Sequence, residues 1–173
     1  MTTRGQSIVL IGFMGTGKSS VGKTLARITG LPRFDTDEIV SARFGLSVKD
    51  IFARFGEEKF RDAETATLVE LVGGGAAIIV TGGGIVLRPE NVKILRTLGY
   101  LVSLEADEET LFQRISRRQT RPLLQTENPR ATMVQLWRAR EPLYRDAADV
   151  RIETSHLKHE EVANAILERI QKL

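Results

Sequence analysis

The 173-residue chain has no cysteine, a single tryptophan, two histidines and five prolines. Without cysteine there is neither a disulfide framework nor a thiolate metal site, and the reducing cytoplasm is the expected setting. No apolar run approaches the ~20 residues of a membrane span, so no membrane partner is expected. Met1 to Gln6 leads into a strand-like run rather than the apolar stretch of a signal peptide. A net charge of +3 is too mild to argue for nucleic acid. No repeat, low-complexity tract or linker divides the chain. Residues 1–173 therefore read as one domain with a continuous core, expected to act as a monomer. Its 42 % apolar and 27 % charged residues are those of a globular protein.

What is present begins with Gly12-Phe13-Met14-Gly15-Thr16-Gly17-Lys18-Ser19, which fits the phosphate-loop pattern G-x-x-x-x-G-K-[ST]. It follows Ser7-Ile8-Val9-Leu10-Ile11, an apolar run that predicts a buried strand, and precedes Val21, Leu25, Ala26 and Ile28 at helical spacing. Chance gives such a match in roughly one chain of this length in a few hundred. Between strand and helix, the backbone N–H groups of Gly15, Thr16, Gly17, Lys18, Ser19 and Ser20 can converge on an anion, helped by the helix dipole. Lys18 supplies a cation for the β- and γ-phosphates, and the Ser19 hydroxyl can ligate Mg²⁺. These residues form the candidate site for ATP.

Short apolar strands alternate with helical patterns, which predicts an α/β fold: a three-layer sandwich around a parallel sheet. Strands are expected at 7–11, 33–35, 76–80, 100–104 and 150–152. Ser47-Val48-Lys49-Asp50 resembles a capping box opening a short helix to Phe55, and Gly56 separates it from a longer one reaching about Val72. Asp107 and Asn128, the latter before Pro129, are helix caps in the making. A helix from Pro89 to Leu98 and a C-terminal amphipathic one with Val162, Ile166 and Ile170 complete the set.

Asp35-Thr36-Asp37 falls at the end of the second strand, the sheet edge where ligands bind. If the strand persists there, both carboxylates face one cleft. One could then hold a Mg²⁺ water while the other accepts a hydrogen bond from a hydroxyl substrate and takes its proton. Alternatively Asp37 N-caps the next helix. The third strand lacks a terminal Asp of the usual Mg²⁺-holding kind, which leaves Asp35 and Ser19 as metal candidates. Arg61 and Glu64, three apart on a helix, are either a solvated ion pair or an anchor for an acidic acceptor. Gly82-Gly83-Gly84 follows the third strand and either binds a ligand through free N–H groups or merely connects. Gly73-Gly74-Gly75, at the opposite sheet edge, needs only a turn. Arg114, Arg117, Arg118 and Arg121 run from a helix into a polar segment with Pro122. They form either a solvated basic face or an arginine-bearing lid that closes over ATP and expels water. Pro142 is expected to bend its helix and could turn Arg140 inward. Phe112, Leu136 and Trp137 are assigned to packing, and His156 and His159 to no role.

Taken together, these segments resemble shikimate kinases over nearly the whole chain. The likeness rests on Gly12 to Ser19, Asp35-Thr36-Asp37, Gly56-Glu57-Glu58-Lys59-Phe60-Arg61, Gly82-Gly83-Gly84, Arg121-Pro122-Leu123-Leu124 and Arg140-Glu141-Pro142-Leu143-Tyr144-Arg145. It implies a nucleoside-monophosphate-kinase-like fold, strand order 2-3-1-4-5, a substrate-binding subdomain at about 35–63 and a lid at about 114–128. The implied reaction moves the γ-phosphoryl group of ATP to the 3-hydroxyl of shikimate, leaving ADP. By the same resemblance Asp37 reads the ring hydroxyls and acts as base, while Arg61 and Arg140 clamp the carboxylate and Gly82, Gly83 and Gly84 line the ring. Asp35 and Ser19 hold Mg²⁺, Lys18 and Arg121 stabilise the transferring charge, and Arg114 stacks on adenine. In one respect the chain departs. Some relatives place a Pro of the late loop against the adenine, where this chain has Ser155-His156-Leu157-Lys158-His159, leaving that contact open. Competing classes are a kinase for gluconate or a nucleoside monophosphate, a GTPase-type switch, for which the Asn-Lys-x-Asp motif is missing, and an inactive paralogue.

Overall fold

The computed structural model describes residues 6–117 and 126–173. Its centre is β1 (Ser7–Ile11), whose five residues are all buried. An uninterrupted apolar run of this kind suits a strand covered on both faces, as in parallel sheets. β2 (Arg33–Asp35), β3 (Ile78–Val80), β4 (Gly99–Glu105) and β5 (Val150–Glu153) complete a five-stranded sheet in the order β2-β3-β1-β4-β5. All four pairings are parallel, with Ile8 opposite Ile78 on one side and Tyr100 on the other.

Alternation along the strands sends side chains to two cores. Ile8 and Leu10 pack with Val21 and Leu25 of α1 (Lys18–Thr29) and with Val162, Ile166 and Ile170 of the last helix, α7 (His159–Ile170). Val9 and Ile11 face the opposite layer, built from α3 (Val48–Leu71), α4 (Pro89–Leu98), α5 (Glu108–Ser116) and α6 (Pro129–Ala147). Phe112, Leu136 and Trp137 pack against this second core, as their apolar character predicted. A third, smaller cluster of Val40, Ile51 and Phe60 joins α2 (Thr36–Phe44) to the first half of α3. Among the described residues no helix is long and apolar enough to cross a membrane.

The expected caps form. Ser47 accepts from the Asp50 N–H at 3.1 Å, Asp107 from Thr110 at 2.8 Å and Asn128 from Ala131 at 3.0 Å. Gly56, at φ 82° and ψ 165°, breaks α3 where the sequence predicted a division. The helix after β2 begins at Thr36, inside the segment that the strand reading of Asp35-Thr36-Asp37 kept extended. Asp35 is its N-cap, and its Oδ1 accepts from the N–H groups of Asp37 at 3.1 Å and Glu38 at 3.3 Å. Asp37 is therefore neither a strand residue nor a cap; it sits in the first helical turn. β3 starts at Ile78 rather than Ala76, a short 3₁₀ turn at Ile85–Leu87 had no sequence signal, and α6 runs on through Pro142 to Ala147.

Because β1 lies between β3 and β4, the chain reverses its winding there, and the loop after β1 opens into the crevice at the strands' C-terminal ends. Close packing of α1 on the sheet holds that loop in place. A Cβ at Gly22 would overlap Val80 Cγ2. Gly22→Ala gains about 1 kcal/mol of helix propensity but overpacks this contact at about 1–3 kcal/mol. The expected outcome is a net loss of stability, read as a melting temperature lower by about 2–6 °C; an unchanged or raised value would show that α1 has room to shift.

Candidate active site

The loop from Gly12 to Gly17 is a tight turn with Gly15 and Gly17 at φ 83° and 93°. Gly12 lies so near the Leu104 carbonyl that a side chain has no space. Thr16 Oγ1 donates to the Phe13 carbonyl at 2.8 Å and stiffens the turn from within. α1 starts at Lys18 with Gly17 as its cap, no side chain satisfies its first N–H groups, and no acidic residue occupies its first turn. An uncapped, unopposed helix N-terminus is an anion site. The Lys18 ammonium, buried beside it, donates to the carbonyls of Gly12 at 2.7 Å and Phe13 at 2.9 Å.

A cavity of about 320 Å³ opens from this N-terminus. Lys18, Ser19 and Ser20 line it together with Asp35, Asp37, Gly82 and Gly83. Lys18 and Asp37 thus share one space, whereas Arg61, Gly84 and Arg140 are not among the residues that line it. Asp35 reaches it with limited freedom: one carboxylate oxygen caps α2 and the other lies 3.5 Å from Arg33. A larger cavity of about 620 Å³ lies on the far side of the loop, between Phe13, Trp137 and Glu141. It lacks both Lys18 and the helix N-terminus, and Arg151 and Arg130 already hold its Glu105 and Glu108.

At the Asp37 end, two of the three glycines, Gly82 and Gly84, serve the close approach of side chains. A Cβ at Gly82 would lie 2.5 Å from Asp37 Oδ1 and 2.8 Å from Glu64 Oε1, and one at Gly84 would fall within the Arg61 guanidinium. The Gly82 N–H is not free, as expected of a ligand loop, but donates to Thr36 Oγ1 at 3.2 Å. Arg61 and Glu64 do form an ion pair, yet a buried one: Glu64 is 0 % exposed and Arg61 7 %. Glu57 takes further guanidinium bonds at 2.9 and 3.2 Å, and the rings of Phe52 and Phe60 flank the cation. Arg140 is also buried at 7 % exposure. Among the described residues it has no carboxylate partner, only the Tyr144 hydroxyl. That hydroxyl bonds the Gly83 carbonyl, so α6 and the glycine loop are joined at Arg140's side. Burial pushes Tyr144 up to about 12, against the pull of Arg140 and Arg61.

Arg114 donates to the Gly15 carbonyl at 3.2 Å and to Thr154 Oγ1 and O at 3.2 and 3.0 Å, which pins the phosphate loop to the segment after β5. Arg117 and His159 line the same end of the cavity. Arg118, Arg121 and Pro122 of the expected lid lie outside the described residues. Sequence reasoning gave no role to Glu64 beyond pairing, and none to Thr154, Tyr144 or His159. A buried polar residue placed by a distant segment leaves no local pattern to read.

A sequence model of the family described as shikimate kinase matches residues 14–171. A shikimate kinase of Thermodesulfovibrio yellowstonii is 43 % identical over 168 residues, covering 97 % of this chain and 96 % of its own. The chain belongs to the shikimate kinase family. Among solved structures, shikimate kinase from Acinetobacter baumannii in complex with shikimate superposes with a TM-score of 0.92 at 37 % identity, over 96 % of this chain and 93 % of that one. A gluconokinase from Sinorhizobium meliloti reaches 0.57 at 18 % identity, covering 96 % of this chain and 92 % of its own, a likeness of fold alone.

One electrostatic feature of this shikimate kinase family member can be tested without substrate. Burial pushes the Glu64 carboxyl up to about 7; Arg61 pulls it down and the nearby Asp37 charge adds to the rise. Between its unfolded value near 4.5 and about 7, the folded chain holds the extra proton. Stability should therefore fall as pH rises through this window. In urea unfolding at pH 5 and pH 8, Glu64→Gln should flatten that fall; a slope equal to that of the parent would mean that Glu64 is ionised throughout.

Proposed function

We propose that the chain is an ATP-dependent shikimate kinase, which transfers the γ-phosphoryl group of ATP to the 3-hydroxyl of shikimate and yields shikimate 3-phosphate and ADP, on the route to chorismate and the aromatic amino acids. The observation that carries this reading is the single cavity lined by both Lys18, at the uncapped start of α1, and the Asp37 carboxylate. Phosphoryl transfer requires the donor cradle and the acceptor hydroxyl in one water-poor space, and positioning with charge stabilisation supplies most of the catalysis.

In this reading the phosphate chain of ATP lies on the N–H groups of Gly15 to Ser20. Asp37 accepts a hydrogen bond from the acceptor hydroxyl. As that oxygen bonds to the γ-phosphorus and the bond from phosphorus to the β,γ-bridging oxygen breaks, Asp37 takes the hydroxyl proton and ADP leaves. Lys18 and Arg121 offset the charge on the moving group. Arg140, a buried cation lacking a carboxylate partner among the described residues, and Arg61 hold the acceptor carboxylate, and Gly82 to Gly84 let the ring approach the backbone. Arg114 stacks on the base.

Mg²⁺ fits this donor set. Among the described residues no three acidic or histidine side chains form a cage, and Mg²⁺ commonly keeps waters and phosphate oxygens around one or two protein ligands. Ser19 would hold it directly and Asp35, already engaged by its cap and Arg33, through water; the ion would neutralise phosphate charge. Residues of about 35–63 act as the acceptor subdomain and about 114–128 as the lid. The protein works as a monomer in the cytoplasm with neither nucleic acid nor membrane as partner, a reading supported by the modest net charge and the absence of cysteine.

An assay of ADP release with ATP, Mg²⁺ and a panel of shikimate, gluconate and nucleoside monophosphates tests the acceptor. Turnover with shikimate is expected; turnover with another acceptor alone would overturn the assignment. Asp37→Asn should lower kcat by about 10²–10⁴-fold with ATP binding retained, and an unchanged kcat would remove Asp37 as base. Arg140→Ala should raise the KM for shikimate by about 10- to 100-fold, and an unaltered value would leave the carboxylate clamp to Arg61.

A further inference from the structure

The usual burial pattern is inverted in β2. Arg33 and Asp35 lie two apart and share one face of the strand. Their register partners Ile78 and Val80 belong to the core that includes Val21 and Leu25 of α1, so this face is turned inward. Phe34, on the other face, is 37 % exposed, whereas the Arg33 side chain is only 19 % exposed. Covering a charge while exposing a ring is unfavourable unless the charge has partners.

Those partners are two carboxylates. Arg33 Nη2 donates to Glu38 Oε2 at 2.8 Å, and Nη1 lies 3.5 Å from Asp35 Oδ2. Asp35 Oδ1 already caps α2, so Oδ2 is the oxygen it has left for a second cation. The Arg33 stem passes α1 at Gly22, with Cδ 3.8 Å from where a Cβ there would stand. Gly22 follows Ser19 by three residues, on the same helix face. Ser19 and Asp35 line the cavity, but Arg33 is not among the described residues that do. Its charge therefore reaches the site through Asp35.

We propose that Arg33 competes with Mg²⁺ for Asp35 and so weakens the hold of this chain on the ion, and that Glu38 moderates the competition by drawing the guanidinium toward itself. Arg33 is a positioning residue, acting on the metal through the carboxylate. A fixed cation beside a partly buried carboxylate opposes the approach of another, and an oxygen bonded to a guanidinium must release it to accept from a metal-bound water. The inference rests on the kinase reading for the place of nucleotide and ion.

Calorimetric titration with ADP, with and without saturating Mg²⁺, gives the factor by which the ion tightens ADP; by linkage this factor measures the hold on the ion. Arg33→Met keeps the stem and removes the charge, and should raise the factor by roughly 3- to 30-fold. Arg33→Lys keeps the charge and should stay within about twofold of the parent. Glu38→Gln should lower the factor in the parent and change it little in Arg33→Met, the cycle that separates an effect through Arg33 from one of the Glu38 charge itself. A factor unchanged or lowered in Arg33→Met would overturn the proposal. So would an equal rise in Arg33→Lys, which marks packing of the stem, or a Glu38→Gln effect that persists without Arg33. A parent whose ADP affinity ignores Mg²⁺ would strike the metal reading and this inference with it. A responsive parent with an unaltered Arg33→Met strikes the inference alone, and a wrong acceptor shows only in the turnover panel.

Discussion

Arg61 and Glu64 lie buried against backbone that has no side chains to keep them away, and the acceptor half of the cavity is organised around that contact. Taking two charges out of water costs several kcal/mol for each ion, offset only where geometry and further hydrogen bonds are good. Here Glu57 adds two bonds to the guanidinium, and Phe52 and Phe60 shield it. The space comes from Gly82 and Gly84, where any Cβ would meet Asp37, Glu64 or Arg61. The glycine loop is thus first a site of close packing, and that packing brings a carboxylate and a guanidinium to the same stretch of main chain.

The donor half is held by a different device. Its anion site is a helix end deliberately short of caps, while the neighbouring helices α2, α3, α5 and α6 all carry side-chain caps from Asp35, Ser47, Asp107 and Asn128. The missing cap leaves N–H groups and the positive end of the α1 dipole facing the cavity. Arg114 then fastens the turn to Thr154, and Thr154 Oγ1 contacts the carbonyls of Thr16 and Glu105 at 3.2 and 2.9 Å. Loop, β4 and the segment after β5 so become one rigid wall. Tyr144 makes the corresponding link for the acceptor half through Gly83. Rigid walls on both sides suit a reaction in which alignment does most of the work.

Much of this was legible in the amino-acid order because it is local. The phosphate loop, the caps at Ser47, Asp107 and Asn128, the break at Gly56 and the five strands each depend on a few neighbouring residues. The misplaced element was local too: Asp35 and Asp37 were read at strand spacing, but a carboxylate that can cap two N–H groups ends β2 at once. Arg61 and Glu64 were seen as a pair from their spacing, but whether the pair was solvated depended on Gly82 and Gly84, some twenty residues away.

The sequence by itself therefore determined the chemistry available: an anion-binding turn, a cation beside it, carboxylates at a sheet edge and arginines in helices. Only the tertiary structure decided which of these meet. It buried Glu64 beside Asp37, freed Arg140 from any described carboxylate, turned Gly82 to Thr36 and set His159 over Gly17. Contacts of that kind join segments far apart in the chain, and burial, which governs the strength of every charge involved, arises only when the layers close.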